Sequence, residues 1–353
     1  MHATQQSTLR PAGPTTTWRE RHIGPVFALL LLAPVVAELL YGAIRVSTIF
    51  ILIPEIMTWG CSALLIRESV RRWGKGWKSM LVLGLALAVA EEWVMQQTSI
   101  SPLVGQGDHG YGRVWGVNSV YFLWALGYES VWVVVVPVQL TELLFPQRRI
   151  ECWLRARGFV TASGVFLLGA CLAWYGWTQR ARVKLFHIAP YSPPLAYLMI
   201  GLATILGLIL TAHLLPSTTE RGNSVPPRLA PSPPVVGAVI CAMGTPWAAF
   251  VLLGWGVGAF PSLPFPPVLA FGLAWAGLTL FLVQRWSSSV DWRDTHRFAL
   301  VFSGVLACML GGFVVFAVGG ALRIDWMGKP VLDSIAVAWL ISLGGAMQRR
   351  KNA

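Results

Sequence analysis

The sequence predicts an all-α polytopic membrane protein, a bundle of about ten transmembrane helices with both termini in the cytoplasm. Composition predicts the class. Of the 353 residues, 55% are hydrophobic and only 12% are charged, whereas soluble domains carry about 25% charged residues. The mean hydropathy is +0.62, and the 18 Trp are of a type that favours the membrane–water boundary. Lipid is therefore the expected solvent for most of the chain.

A membrane-spanning helix needs about 20 mostly apolar residues, and ten such segments follow one another. The first, after a polar tail at 1–22, is too long and lacks the cleavage site of a signal peptide, so it predicts a retained helix. We place the ten helices near 23–44, 46–66, 79–98, 119–145, 158–178, 194–214, 234–254, 266–284, 297–319 and a short last one at 331–348, before a tail at 349–353.

One stretch between the helices, 215–233, is rich in Pro and Ser. Such a composition predicts a flexible linker. It separates a membrane part with six helices (23–214) from one with four (234–348).

The basic residues predict the orientation. Of the 27 Lys and Arg, 20 fall in the terminal and loop segments that an N-in, C-in topology places inside, as the positive-inside rule requires. The loop 179–192 is discordant, with three basic residues on the predicted outer side. Topology and contact with the lipid bilayer thus account for the net charge of +12, and a nucleic-acid partner is not expected.

The five Cys form no C-x-x-C pair, and the His residues show no metal-ligand spacing. The sequence therefore predicts no disulfide framework, no metal site and no cofactor.

Carboxylates inside the predicted helices are the most informative feature. Six of the 15 acidic residues lie in the first four helices, and an ionisable group in hydrocarbon usually faces a protein interior or a wet cavity. At 1.5 Å per residue, four of them lie roughly 9–15 Å from the outer end of their own helices, which predicts one polar site in the outer half of the membrane. The six are Glu38, Glu55, Glu91, Glu92, Glu129 and the more cytoplasmic Glu142, which is expected near the membrane interface.

The adjacent pair Glu91–Glu92 is the best single indication of a site. Two neighbouring carboxyls cannot both stay charged in a low dielectric, so a proton acceptor and a proton donor are expected side by side. Gln96 lies four residues after Glu92, on the same helical face. Adjacent residues point about 100° apart on an α-helix, so one Glu can face the site while the other braces a neighbour.

Structural roles are open alternatives for the other carboxyls. Glu38 precedes Arg45 by two helical turns and is a candidate for an ion pair with it. Glu55 follows Pro54, where freed backbone groups can satisfy a carboxyl. Glu129 lies among aromatic residues, and either a pocket or a plain hydrogen bond to a neighbouring helix is consistent with that. The outer loop 99–118 contains His109, a candidate for assisting proton transfer.

Two resemblances follow from these motifs. Over roughly residues 25–150 the chain resembles a group of uncharacterised bacterial multi-pass membrane proteins, through PVVAELL, PEIMTWGCSALLIRESVRRWGKGW, AEEWVMQQ and PVQLTELLFP. The position of Glu129 is often His in that group. This resemblance implies a bacterial inner-membrane location and supplies no activity.

The Glu pair also resembles the first motif of the CAAX-protease and bacteriocin-processing family, whose members are membrane-embedded glutamate-dependent peptidases. That motif continues with Arg four residues after the second Glu, where this chain has Gln96. The family also requires Phe-x-x-x-His, which is absent here; Trp292-x-x-x-His296 has the spacing but lies in a predicted cytoplasmic loop. Water activation by a Glu/His set is therefore in doubt.

The leading functional hypothesis is a transporter or permease-like protein for a small solute, cation or proton. Glu91 and Glu92 would exchange protons or bind a cation, helped by Glu38, Glu55, Gln96 and Glu129. Transporters often break helices near such a site, here at Pro25, Pro34, Pro54 and Pro137. The alternatives are an intramembrane hydrolase acting on a lipid or peptide, with Glu91 or Glu92 as general base, and a non-catalytic scaffold or subunit.

Overall fold

The computed structural model describes residues 18–102, 110–216, 229–254 and 263–352, and in these ranges the chain is an all-α bundle. Ten helical segments follow one another. They are α1 (Trp18–Pro34, continued by Val35–Leu39), α2 (Val46–Arg72), α3 (Trp77–Ala90, continued by Glu91–Met95), α4 (Ser119–Leu144), α5 (Ala156–Lys184), α6 (Leu195–Leu214), α7 (Pro233–Gly254), α8 (Phe265–Ser287), α9 (Asp294–Gly319) and α10 (Arg323–Asn352).

Eight of these helices are long and apolar enough to cross a membrane, and the apolar part of α1, Ile23–Leu39, is shorter. The remaining helix, α3, carries Lys78, Glu91 and Glu92 within its length. The strands are a two-residue pair, β1 (Arg113–Val114) and β2 (Val117–Asn118), which form an antiparallel hairpin. The prediction of a multi-pass helical membrane protein is confirmed.

Each predicted segment corresponds to one helix, but the prediction of a short last helix was wrong. Helix α10 has 30 residues and begins at Arg323 instead of 331. The charged residues in its first two turns lower the hydropathy, so the predicted helix began too late. In the structure Asp325 and Lys329 are buried and form hydrogen bonds with Ser47 and with the Leu40 carbonyl. Most of the predicted linker, 217–228, lies outside the described residues, so its flexibility stays a prediction.

Burial separates central helices from peripheral ones. In α4 and α9, 67% and 61% of the apolar span is buried, against 6% in α5 and α8 and 11% in α6. The peripheral helices expose large apolar side chains, for example Leu168, Leu206 and Phe281. Because lipid is as apolar as these side chains, such faces are stable toward the bilayer.

Glycines let the first four helices approach closely. A Cβ placed on Gly60 would clash with the Leu30 carbonyl oxygen, where α2 crosses α1. A Cβ on Gly84 would lie 2.7 Å from the Ser130 Cα, where α3 crosses α4. Small residues at such crossings are how membrane helices gain packing contacts, since no hydrophobic effect drives their association.

Hydrogen bonds between interhelical connections show which connections lie at the same end of the bundle. Three hydrogen bonds join the basic connections at one end: Arg72 to the Leu154 carbonyl, Lys75 to the Leu215 carbonyl and Ala230 to Asp291. Three others join the remaining connections: Tyr191 to Ile100, Asn118 to Gly254 and Ser47 to Asp325. This grouping agrees with the sequence analysis, in which successive connections alternate between the two sides of the membrane. The location of the basic end in the cytoplasm stays a prediction.

A buried ion cluster holds the basic end together. Arg67 and Glu68 are both 0% exposed, and Arg67 donates to Glu68 Oε1 at 2.7 Å while its guanidinium carbon lies 3.5 Å from the Trp153 ring centre. Glu68 accepts from the main-chain N–H groups of Trp153 and Leu154 at 2.9 and 3.1 Å. Arg67 also donates to carbonyls of the loop after α4, those of Arg148, Arg149 and Glu151.

Glu142 belongs to the same cluster and is 3% exposed. It accepts hydrogen bonds from Arg67 at 3.4 Å and from Arg71. The expectation that Glu142 lies near the cytoplasmic end agrees with this position, but its role is to pair α4 with α2. Every charge in this group has a partner, which is the condition under which a buried ion cluster is tolerated.

Gly84→Val is expected to separate α3 from α4 and destabilise the bundle by about 1–3 kcal/mol or more, because a side chain there meets backbone and not a movable side chain. Thermal unfolding in detergent measures the effect. Gly277→Val in α8 is the matched control, since a Cβ at Gly277 has nothing within 4 Å. Equal effects of the two substitutions would contradict close packing at Gly84.

Arg67→Met is expected to cost about 3–5 kcal/mol of stability, because it leaves the carboxylates of Glu68 and Glu142 buried with fewer partners. Arg72→Met is the comparison, because Arg72 is 38% exposed and lies 4.0 Å from Glu68; its loss should cost no more than about 1 kcal/mol. The measurement is the unfolding midpoint of each variant. If Arg72→Met were the more damaging change, the ion cluster would not be what holds this end.

Candidate functional site

The structure brings five of the predicted carboxyls into one group, which we call the carboxylate cluster. Its members come from four helices and interact electrostatically with one another: Glu38 of α1, Glu55 of α2, Glu91 and Glu92 of α3, and Glu129 of α4. The last three are 6%, 2% and 4% exposed, and Glu38 and Glu55 are half-buried. The first four helices of the chain therefore converge on one polar centre inside the apolar bundle.

Each of these four helices widens into a π turn at its carboxylate. The π turns are Val35–Leu39 around Glu38, Ile56–Gly60 directly after Glu55, Glu91–Met95, and Glu129–Val135. In a π turn the N–H of one residue bonds to the carbonyl five residues earlier, as Gln96 does to Glu91 at 2.9 Å. Such turns are rare and occur frequently at functional sites, because they change the direction of side chains.

The predicted helix breaks at Pro residues are replaced by these π turns. Helix α1 continues through Pro25 and Pro34, and its π turn starts directly after Pro34. Pro54 lies shortly before the π turn of α2, and Pro137 shortly after that of α4. The prediction of broken helices was wrong, because a Pro ring can be accommodated by local widening of the helix when neighbours satisfy the freed carbonyls.

The carboxyls of Glu91 in α3 and Glu129 in α4 lie close enough to interact electrostatically. Two such carboxyls cannot both stay charged in a low dielectric, so we expect one of them to hold a proton. No N–H or O–H group of the described residues reaches the buried Oε2 atoms of Glu91, Glu129 and Glu55. A proton held by Glu91 or Glu129 would lower the cost of burying both carboxyls.

Glu92 has a different environment from Glu91. Its Oε2 accepts from the Ser99 N–H at 2.8 Å and from the Ser99 hydroxyl at 2.6 Å. These bonds hold the turn that follows α3, where Gln97 takes a left-handed φ of 60°. Glu91 therefore faces the cluster, while Glu92 braces the chain leaving the helix.

Glu38 and Glu55 form the other side of the cluster. The indole N–H of Trp59 approaches the Glu38 carboxyl, although its geometry falls short of a regular hydrogen bond. The proposed pairing of Glu38 with Arg45 is not what the structure shows, since the Arg45 guanidinium lies 5.2 Å from the Phe316 ring centre. Arg45 begins α2 as its N-cap residue, which turns its side chain toward α9.

Aromatic rings line the cluster on the α4 side. Tyr41, Trp124, Tyr128 and Trp132 form a column with neighbouring ring centres 4.7–6.1 Å apart. The Tyr128 hydroxyl donates to the Ala37 carbonyl in the π turn of α1. The buried indole N–H of Trp124 has no acceptor among the described residues. The aromatic surroundings predicted for Glu129 are thus present.

Within the described ranges, none of the five cluster carboxyls forms an ion pair with Lys, Arg or His. Nor does that part of the chain contain a group of three or more His, Cys, Asp or Glu that could hold a metal ion. The charge balance therefore favours protons or a cationic ligand, since buried carboxylates need a positive partner or protonation.

The predicted participation of Gln96 in the cluster stays a prediction. Gln96 is half-buried at the end of the π turn, and within the described residues its side chain has no hydrogen bond. Asp108 and His109 lie outside the described residues, so assistance from His109 stays a prediction.

The turn after α3 is held by residues of the loop 179–192, whose basic residues do not fit the predicted topology. Arg182, 4% exposed, donates to the Pro102 carbonyl at 2.9 Å and the Ala189 carbonyl at 3.3 Å. The Tyr191 hydroxyl donates to the Ile100 carbonyl at 3.0 Å, and burial raises the pKa of Tyr191, so it remains a donor. Arg182 therefore holds the turn after α3, which gives one basic residue of the loop 179–192 a structural role.

Two histidines, His213 and His296, have contacts that place them at the basic end. His213 packs edge-on against Trp73 at the basic end. His296 stacks on Trp292 with ring centres 5.1 Å apart and accepts from the Arg293 N–H. The Trp292-x-x-x-His296 spacing thus serves the start of α9 and brings no imidazole to Glu91.

Comparison of the chain with protein-family models, with curated proteins and with solved structures gives no match. Both resemblances noted in the sequence therefore stay predictions.

A hydrophobic carbodiimide, which modifies protonated carboxyls in apolar surroundings, is expected to label Glu91 or Glu129 at pH 7, because two neighbouring carboxyls in a low dielectric cannot both stay charged. Mass spectrometry of the purified protein locates the label. Glu142 is the matched control: it is equally buried but paired with Arg67 and Arg71, so it should stay unmodified. Labelling of Glu142 alone, or no labelling of the Glu91–Glu129 pair, would contradict a proton held by Glu91 or Glu129.

Proposed function

We propose that this protein is a transporter or permease-like protein of a bacterial inner membrane, and that the carboxylate cluster is its intramembrane site. The cluster would bind a cation in exchange for the proton shared by Glu91 and Glu129. Glu38 and Glu55 would complete the negative surroundings from α1 and α2. Glu92 would position the turn after α3 through Ser99.

The proximity of the buried Glu91 and Glu129 carboxyls carries the proposal. Two carboxyls that hold one proton can release it and then present a charged pair to a cation. In a purely structural role the same pair would be expensive, because an apolar contact between α3 and α4 avoids the desolvation of both groups. Intramembrane carboxyls without a basic partner are typical of ion and proton pathways.

The π turns support movement at this site. In all four helices they replace regular α-helical hydrogen bonds next to a cluster carboxylate. A π turn can shift along a helix at low cost, because the shift exchanges one set of backbone hydrogen bonds for another. Transport requires such local rearrangement around a fixed site. A hydrolase of the glutamate-dependent kind would instead require a His near Glu91, and the two His residues whose contacts the structure gives, His213 and His296, pack against Trp73 and Trp292.

Protein in liposomes that contain the pH indicator pyranine tests the proposal. A pulse of Na⁺, K⁺ or methylammonium outside is expected to drive proton release from the lumen in wild-type vesicles. Glu91→Gln and Glu129→Gln should each lower the initial rate by about a hundredfold or more, the usual contribution of a positioned acid–base group. Glu151→Gln, in an exposed loop, should leave the rate unchanged.

Two results would overturn the proposal. The first is the absence of cation-driven proton movement together with carbodiimide labelling that none of the three cations slows. The second is normal movement in both Gln variants, which would place the pathway elsewhere. Thermal unfolding of each variant serves as the control for folding.

A further inference from the structure

A second intramembrane charge site lies between α9 and α10, away from the π turns. The Lys329 ammonium donates to Asp333 Oδ2 at 2.8 Å, to Asp333 Oδ1 at 3.2 Å and to the Leu40 carbonyl at 2.8 Å. It also lies 4.7 Å from the Phe313 ring centre. Lys329 and Asp333 are 2% and 8% exposed. A carboxylate, a carbonyl and an aromatic face together make a complete binding site for a primary ammonium.

A cleft of about 440 Å³ adjoins this ammonium site. Its walls are apolar side chains of α9 and α10, with Asp333 and Phe313 among the lining residues. Leu310 and Ile341, also in the lining, are 42% and 62% exposed on the surface of two membrane-spanning helices. The cleft therefore adjoins the lipid-facing surface, and a molecule dissolved in the membrane can enter it without crossing water.

We propose that the α9–α10 cleft binds a membrane-dissolved primary amine with an alkyl chain, which enters uncharged, takes the proton of Lys329 and pairs as an ammonium with Asp333, so that Lys329 remains as a neutral amine. The occupant is deduced from what the site already holds, because Lys329 shows that the partners fit an ammonium on an alkyl chain. Asp333 contacts both the ammonium and the cleft, so an amine whose chain lies in the cleft reaches the same carboxylate. Lys329 then acts as a built-in competitor that keeps the site neutral when no amine is bound.

The proposal has consequences for α1. The Leu40 carbonyl follows the π turn that contains Glu38, and the positive charge of Lys329 lies at this carbonyl end of α1, where a cation is favourable. An amine at Asp333 would take over this contact. The second site therefore contacts the end of α1, the helix that carries Glu38, through one backbone carbonyl. Amine binding at Asp333 does not depend on the carboxylate cluster.

Dodecylamine is the probe, and protein in nanodiscs is the sample. Native mass spectrometry is expected to show one bound dodecylamine on the wild type, and about tenfold tighter binding to Lys329→Ala, in which the competing ammonium is gone. Lys329→Ala should also lose several degrees of thermal stability, and dodecylamine should restore at least half of that loss. Dodecanol, which has the same chain without the charge, should restore none of it.

The wild type and Asp333→Asn can be compared without any change at Lys329, so the test holds even if Lys329→Ala fails to fold. Asp333→Asn is expected to lose the bound amine, because it removes the carboxylate. Binding that persists in Asp333→Asn, rescue by dodecanol, or binding to Lys329→Ala with none to the wild type would each overturn the proposal. Glu91→Gln should bind dodecylamine like the wild type, which separates this result from the fate of the proposed transport function.

Discussion

The requirement that buried polar groups find partners inside the protein governs this structure, because lipid offers none. The end of α1 shows it most clearly. The π turn and the end of the helix free carbonyls that three other helices satisfy: Cys308 of α9 donates to Val36, Tyr128 of α4 to Ala37, and Lys329 of α10 to Leu40. Helices far apart in sequence are thereby fixed around α1, and the carboxylate cluster lies at their meeting point.

At the two ends of the bundle, buried charged side chains have hydrogen-bond partners and stabilise the fold. At the basic end, Arg67 and Glu68 are buried and fully paired. On the opposite side, Arg182 is buried and bonded to carbonyls. The carboxylate cluster differs, since within the described residues its members have no basic partner. Such a contrast within one molecule is the strongest physical reason to assign function to the cluster and structural roles to the other charges.

The two intramembrane sites have opposite electrostatic designs. The carboxylate cluster brings together five acidic groups without a basic partner among the described residues, and we propose that Glu91 and Glu129 share a proton there. Lys329 and Asp333, in contrast, neutralise each other. A neutral pair beside a cleft at the lipid-facing surface suits exchange of one ammonium for another. A carboxyl pair enclosed by aromatic rings suits exchange of a proton for a cation. Both sites meet at α1, so occupation of one can influence the other through the position of a single helix end.

The sequence alone determined the membrane class, the order of the ten helices and the carboxylates worth attention, because hydropathy and charge are properties of composition and spacing. It could not determine which carboxyls meet. The separate roles of Glu91 and Glu92 depend on a π turn, which shifts side chains by an amount that no α-helical spacing predicts. A hydropathy scan did not predict the full length of α10 or the Lys329–Asp333 pair. Charged residues lower the hydropathy of a segment, and the sequence does not show which groups will pair with them. Those partners come together only in the tertiary structure, where burial makes each unpaired polar group costly and so selects the contacts.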